Sequence, residues 1–348
     1  MSNNKYFIKK YVPIYKADNK ICIGYPNKNE YIEIDYNEDN YFQLEQFLKY
    51  GISEKLLLKS FFQEMYNKDF LQSKPVIFES YKNSRSELFF EYLLKSSVSD
   101  KLLKIKEKKI LIFGAGAGGS SLIYLLAQFG FKNITVIDYD VIEETDIQRI
   151  SIFDKEDIGK RKITALKNKI KRNFSININT IDAKLIQEKE ISDIINLIEP
   201  KIIVKACDPA GAFLMNLNRV CFKCKIPYIS MAYSFERLKI GPLLIPDVTS
   251  CAEFLSQAAV DYYGNHYKIE KFEKLFSNYT FHPSISYNIN ILASLVFKEI
   301  VFFLLEAFDY CQTIGRILTF NPLDLSVTPF LVKCEDSCEL CYYENKKI

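Results

Sequence analysis

Gly114, Gly116 and Gly119 stand in "FGAGAGGSS", between an apolar run that ends at Phe113 and a helical pattern that follows at once. No other feature narrows so far what this chain can fold into. A strand that turns directly into a helix needs the first glycine for the tight turn. The second lets the backbone approach a phosphate, and the third lets helix and strand pack closely. The N-terminus of the helix then favours an anion. Asp138 closes the next apolar run, "ITVIDYD", 22 residues after Gly116, where a carboxylate can accept from ribose hydroxyls. Strand, loop, helix and acid in register describe a nucleotide-binding unit. The bare glycine spacing also fits a tight turn without ligand, and by itself it suits NAD or FAD as well as ATP.

The runs "ILIF", "ITVI", "INTI", "KIIVKA" and "PYIS" are rich in β-branched residues, and helical segments such as "SSLIYLLAQFG" and "KRKITALKNKIKRN" separate several of them. That alternation predicts an α/β fold, a Rossmann-like, doubly wound and mostly parallel sheet with helices on both faces. After Pro246 the pattern is mostly helical up to "RILTF" and a cysteine-rich tail. Residues 1–80 read differently. Short alternating runs ("ICIGYP", "YIEIDY") precede helical spacing in "YFQLEQFLKYGISEKLLLKSFFQEMY", which predicts a small α+β, winged-helix-like module. The expected division is therefore 1–80 and 81–348.

Composition excludes several classes. The 46 basic and 43 acidic residues leave a net charge of +3, too near balance for a general nucleic-acid field. The first residues, "MSNNKYFIKKYVPIY", have no apolar signal core, and "ILASLVFKEIVFFLLEAF" is interrupted by Lys298 and Glu299, which favours a buried helix over a span. With no membrane partner and no export signal expected, the nine cysteines read as reduced thiols or metal ligands in a cytoplasmic protein.

The segment after Asp138 separates a redox carrier from a cleaved triphosphate. It holds a second acid, Asp140, then Arg149, then Gly159-Lys160-Arg161-Lys162 at a helix start. A dehydrogenase has no evident need for cations there, whereas a triphosphate does: arginine forks and lysine charges neutralise phosphoryl oxygens and a departing pyrophosphate. For Lys160 and Arg161 alone, a solvated helix face is the simpler expectation.

With these residues in place, the sequence resembles the ThiF/MoeB adenylyltransferases, relatives of the ubiquitin-activating enzymes. The family pattern G-x-G-[GA]-x-G, D-x-D, N-x-x-R, G-K-x-K and a later aspartate reads here as Gly114 to Gly119, Asp138-Tyr-Asp140, Asp146-Ile-Gln-Arg149, Gly159-Lys-Arg-Lys162 and Cys207-Asp208. The likeness covers about residues 80–345. It implies that Asp138 holds ribose, that Arg149 and Lys162 hold phosphates, and that Asp208 binds Mg²⁺. Arg85, in "NSRSELFFEY", resembles the arginine that reaches a neighbouring subunit's triphosphate, which implies a homodimer. Asp146 departs from the family's asparagine, so a phosphate or metal contact becomes acidic.

Within the family the sequence is most similar to the MccB-type (microcin C) branch, which modifies short ribosomally made peptides. The segments "PYISMAYSFERLKIGPLLIPDVTSCAEF" and "TFHPSISYNINILASLVFKEI" carry that likeness, and the extra N-terminal module would be its peptide- or leader-recognition domain. The resemblance implies ATP-dependent nucleotidyl (AMP) activation of a carboxyl or carboxamide with pyrophosphate release. The product would be a peptidyl-nucleotide or a dehydrated, cyclised peptide, as in antibiotic biosynthesis.

Cys338-x-x-Cys341 has zinc-knuckle spacing. The family pairs such a tail with a second C-x-x-C, here reduced to Cys251-Ala-Glu-Phe254, so the implied set is Cys251, Cys334, Cys338 and Cys341 around a structural Zn²⁺. Cys221-x-x-Cys224 is a rival pair, and a degenerate site with reduced thiols is the plain alternative. Cys207 reads as a small residue at a strand end, and no nucleophile is assigned. The two histidines, His266 and His282, have no spaced acid or serine partner, which leaves triad chemistry unsupported. Two other functions stand beside peptide modification. One is activation of the C-terminal glycine of a ubiquitin-like sulfur carrier, weakened by the N-terminal module. The other is a non-catalytic peptide-binding scaffold.

Overall fold

The structure is a computed structural model that describes residues 5–57, 61–73, 84–207, 211–254, 283–333, 338 and 340–341. The chain divides into two compact units, Met1–Asp100 and Lys101–Ile348. The helix Ser84–Leu94, expected in the larger domain, thus clusters with the first hundred residues.

The first unit contains β1 (Lys5–Ile8), β2 (Ile14–Ala17), β3 (Lys20–Tyr25), β4 (Glu30–Asp35), α1 (Glu38–Tyr50), β5 (Ile52–Ser53), α2 (Glu54–Leu57), α3 (Phe61–Asn67), β6 (Leu71–Gln72) and α4 (Ser84–Leu94). Two antiparallel three-stranded sheets form, in the orders β5-β1-β6 and β2-β3-β4. Asn37 starts α1 by accepting the Asn40 amide at 2.8 Å, satisfying one of the donors a helix start leaves unpaired. Ile23, Phe47, Phe62 and Met65 fill the core of this unit.

The second unit follows α5 (Ser99–Lys106), which straddles the division. It contains β7 (Ile110–Phe113), α6 (Ala117–Phe129), β8 (Ile134–Ile137), α7 (Glu144–Ile147), α8 (Lys162–Phe174), β9 (Asn179–Ile181), α9 (Glu188–Ile198), β10 (Ile202–Lys205), α10 (Gly211–Lys223), β11 (Tyr228–Ser234), β12 (Arg237–Leu244), α11 (Ser286–Leu304), β13 (Arg316–Asn321) and β14 (Ser326–Leu331). One eight-stranded sheet runs β14-β13-β12-β11-β10-β7-β8-β9. The five strands from β11 to β9 pair in parallel, and β12, β13 and β14 extend the sheet by antiparallel pairing. Every residue of β7, β8 and β10 is buried. Such buried runs, apolar but for Thr135 and Lys205, are what a parallel sheet covered on both faces requires.

Chain order reverses between β7 and β10: β7, β8 and β9 run outward on one side, and β10 and β11 on the other. In a doubly wound sheet the crevice at the carboxyl ends of those two strands is where a ligand can enter. The apolar helix α11 packs on α6 and against β11 and β12. It is the one described helix long and apolar enough to cross a membrane, and its Glu299 is buried among the Thr313 amide, the Thr313 hydroxyl and the Gln312 amide.

Candidate nucleotide site

The crevice at the β7/β10 switch point holds a cavity of about 370 Å³. Its floor is the glycine loop. Gly114 has a φ of +106°, which disfavours a side chain, and a Cβ there would lie 2.7 Å from the Cys207 amide nitrogen. At Gly119 a Cβ would meet the Gly114 carbonyl oxygen at 2.0 Å, so the helix start sits directly on the strand end. Gly116 faces open space, with nothing within 4 Å of the position a Cβ would take, and it is the N-cap of α6. The three glycines thus divide into two that permit the packing and one that leaves room for a ligand. The unpaired amides at the start of this 13-residue helix belong to the same loop.

Asp138 stands just past β8. Its Oδ2 accepts the Ala115 amide at 2.6 Å and its Oδ1 accepts the Asp140 amide at 2.7 Å, so the acid is tied to the glycine loop before any ligand arrives. Asp138 and Asp140 both line the cavity.

Arg149 and Lys162 line the cavity too, brought there by a loop that closes on itself. Ile142 donates to the Lys160 carbonyl at 2.9 Å, Gly159 donates to the Ile142 carbonyl at 2.9 Å, and Lys162 donates to the Asp140 carbonyl at 3.0 Å. Asp146, at 1 % exposure, joins the two cations from behind. Its Oδ1 accepts Arg149 Nη2 at 2.5 Å, and its Oδ2 lies 3.3 Å from Lys162 Nζ and accepts the Glu143 amide at 3.1 Å. Burial alone would raise this carboxyl, but the Glu143 amide, the Lys162 ammonium and the Arg149 guanidinium hold it below the usual carboxylate range. Lys160 and Arg161 pair instead with Asp157 and Asp182, at 3.2 and 3.0 Å, and neither lines the cavity.

The fold adds residues that sequence spacing does not reveal. Lys184 and Leu185, beyond β9, form one wall with Tyr139 and with Phe213 of α10, and Lys184 Nζ lies 5.2 Å from the centre of the Tyr139 ring. Met231 and Tyr233 on β11 form another wall, where the Tyr233 hydroxyl accepts Arg149 Nη1 at 3.2 Å. Lys184 and Leu185 follow β9, Phe213 lies on α10 and Met231 and Tyr233 on β11, and the parallel pairing of β9, β8, β7, β10 and β11 brings them to one end of the sheet.

Asp208 lies outside the described residues, although Ala206 and Cys207 just before it line the cavity. Arg85 is exposed in the first turn of α4, in the first unit. Among the described residues, Cys251, Cys338 and Cys341 gather with their sulfurs within 4.8 Å of one another, all three buried. Cys251 and Cys338 Sγ are 3.6 Å apart, close to the roughly 3.8 Å that two thiolates span on a tetrahedral zinc with Zn–S bonds of about 2.3 Å. The donor chemistry and spacing therefore fit zinc. Cys334 lies outside the described residues, as do His266 and His282. Cys221, of the rival pair, is buried on α10 in the core that packs on the sheet.

A model of the ThiF family matches residues 91–340. The molybdopterin-synthase adenylyltransferase of Haemophilus influenzae is 33 % identical over 143 residues, 41 % of this chain and 57 % of that protein, so the match spans little more than half of the relative's length. Among solved structures, the microcin C7 biosynthetic enzyme MccB in complex with N-formylated MccA superposes with a TM-score of 0.76. Its sequence is 21 % identical, and the likeness covers 97 % of this chain and 99 % of that one. Escherichia coli MccB with ATP gives a TM-score of 0.71 at 20 % identity, covering 97 % and 99 %. At such identities these likenesses establish a shared fold.

Proposed function

The chain belongs to the ThiF family, and from that premise we propose that it is an adenylyltransferase that activates a carboxyl or carboxamide of a short ribosomally made peptide with ATP. The observation that carries this reading is the placing of Arg149 and Lys162 on one cavity with the glycine loop and Asp138. A dinucleotide carrier leaves that pair of cations without a task, whereas a triphosphate gives them one.

In this reading Asp138 accepts from the ribose, and the loop from Gly114 to Gly119 holds phosphate oxygens through its amides. The peptide's carboxyl or amide oxygen attacks the α-phosphorus. As that P–O bond forms, the bond to the bridging oxygen of the β-phosphate breaks, and pyrophosphate leaves with its charge met by Arg149 and Lys162. Asp208 is assigned to Mg²⁺, which supplies charge neutralisation when bound. Cys251, Cys338 and Cys341, with Cys334 as a fourth ligand, would hold a structural zinc whose closed thiolate shell leaves no position for substrate. The first unit is assigned to recognition of the peptide, and Arg85 to the triphosphate site of a second copy in a homodimer. The full-length fold likeness to MccB with N-formylated MccA supports this reading over its rival.

That rival, activation of a ubiquitin-like carrier's C-terminus, draws support from the molybdopterin-synthase adenylyltransferase match. Pyrophosphate release from Mg²⁺–ATP, with short peptides or with a carrier protein, separates the two. Peptide-dependent release, with a nucleotidyl mass gain or a loss of water on the peptide, supports the first. Release with the carrier alone moves the assignment to the second, and silence with both leaves a binding protein.

A further inference from the structure

Arg149 and Lys162 do not face the cavity as free charges. Behind them Asp146 is closed off from solvent and does not line the cavity, so it is not placed to touch a phosphate or a metal there. Both of its oxygens are engaged, Oδ1 by Arg149 Nη2 at 2.5 Å and Oδ2 by the Glu143 amide at 3.1 Å with Lys162 Nζ at 3.3 Å. It is the third residue of α7, and a reciprocal pair of bonds fixes it there: the Asp146 amide donates to the Glu143 carbonyl at 3.0 Å while the Asp146 side chain accepts the Glu143 amide at 3.1 Å. The carboxylate is therefore built into backbone geometry, and the two cations are arranged around it. Asp140 adds a weaker pairing to Lys162 at 3.6 Å from the solvent side.

We infer that Asp146 is a positioning residue that presets the two phosphate-facing cations and, by cancelling part of their charge, keeps the site from retaining pyrophosphate. The inference rests on the nucleotide reading above. Two uncompensated cations beside a glycine loop would hold a small polyanion tightly and release it slowly. One buried negative charge a few ångströms behind them weakens the field at the phosphates, and it also spares each cation the search for its position. The consequence is a site that binds a triphosphate with two oriented cations and lets the product go.

Equilibrium binding of inorganic pyrophosphate to the full-length protein tests this directly, with ATP turnover followed in parallel. Asp146→Asn keeps the shape and removes the charge. Its pyrophosphate affinity should rise on the order of tenfold, with KM for ATP falling and kcat falling as product lingers. Asp146→Glu, which restores the charge, should return pyrophosphate affinity toward that of the wild type. A merely structural role predicts lower affinity in both variants and a shared loss of kcat/KM. Should Asp146→Asn fail to fold, Asp146→Ser removes the same charge while keeping an acceptor, and failure of both to fold would overturn the inference. Unchanged or weakened pyrophosphate binding in a folded, uncharged variant overturns it as well, while leaving the nucleotide reading intact. If the wild type binds neither ATP nor pyrophosphate, the nucleotide reading itself fails and the inference falls with it.

Discussion

The Asp138 carboxylate accepts the Ala115 amide at 2.6 Å, a contact between residues 23 apart in sequence that locks the end of β8 to the glycine loop. In the proposed reaction the same acid also meets the ribose, so removing it costs twice. Asp138→Ala should weaken ATP binding by about 10- to 100-fold, the range expected for hydrogen bonds to a charged group. Titration calorimetry of the variant against the wild type measures this, and unchanged affinity would remove Asp138 from the nucleotide site.

The glycines of the loop should separate by what they do. Gly119→Ala forces a methyl group to within 2.0 Å of the Gly114 carbonyl oxygen and should lower stability by about 3 kcal/mol, read as a fall in the thermal midpoint. Gly116→Ala meets no protein atom within 4 Å, so its stability should stay within about 0.5 kcal/mol of the wild type. Its added methyl lies on the cavity surface, and its ATP affinity should fall. Equal destabilisation by both substitutions would contradict this division of roles.

Acid should reveal the network under α8. Asp157 is buried against Lys169 at 2.7 Å and lies 3.2 Å from Lys160. Burial opposes its charge, but Lys169, the Asp154 amide and Lys160 outweigh that and hold the carboxyl below its ordinary value. A carboxyl lowered by folding adds stability above the unfolded value of about 3.9 and loses it as pH falls through the folded value. Asp157→Asn should therefore cost about 2 kcal/mol near neutral pH, less than a fully broken pair because Asp154 still faces Lys169 at 2.5 Å. Denaturant titrations at pH 7 and near pH 3 should show the gap between variant and wild type shrinking with acid. A gap independent of pH would mean that packing, not charge, is what the substitution removes.

Metal content tests the cysteine cluster. Purified protein should retain about one zinc per chain through dialysis, and Cys251→Ser should release it and lower the thermal midpoint. Elemental analysis and melting curves give both numbers. Wild-type protein that melts identically before and after exhaustive chelation would argue for simple buried thiols, a state in which burial foremost pushes the Cys251 thiol up to about 12.

The parallel core was legible because it obeys one rule throughout. Strands covered on both faces read as near-continuous apolar runs, and "ILIF" and "ITVI", interrupted only by Thr135, fit that. The glycine loop, Asp138, Arg149 and Lys162 were legible because their spacing along the chain is fixed by a single βαβ step and its exit loop. β14 was not. All six of its residues are exposed and it carries Pro329, so it offers neither a buried face nor an uninterrupted strand pattern. Edge strands tolerate both. The role of Asp146 was hidden for another reason. Its contact with Arg149 follows from spacing on one helical turn, but Lys162 lies 16 residues further on and arrives only because the loop folds back on Ile142 and Asp140. Lys184 follows β9, Phe213 sits on α10 and Tyr233 on β11, and no local pattern marks them.

The meeting of Cys251 with Cys338 reaches beyond the metal itself. These residues are 87 positions apart, and their sulfurs sit 3.6 Å from each other. Any bond that joins them, through a shared ion, closes a loop containing α11 and the β13–β14 hairpin. In an unfolded chain a link of that length removes about 4 to 5 kcal/mol worth of conformational freedom. The last antiparallel strands of the sheet, one of them wholly exposed, would then be held by a cross-link that denies the chain its most extended alternatives as well as by their own pairing.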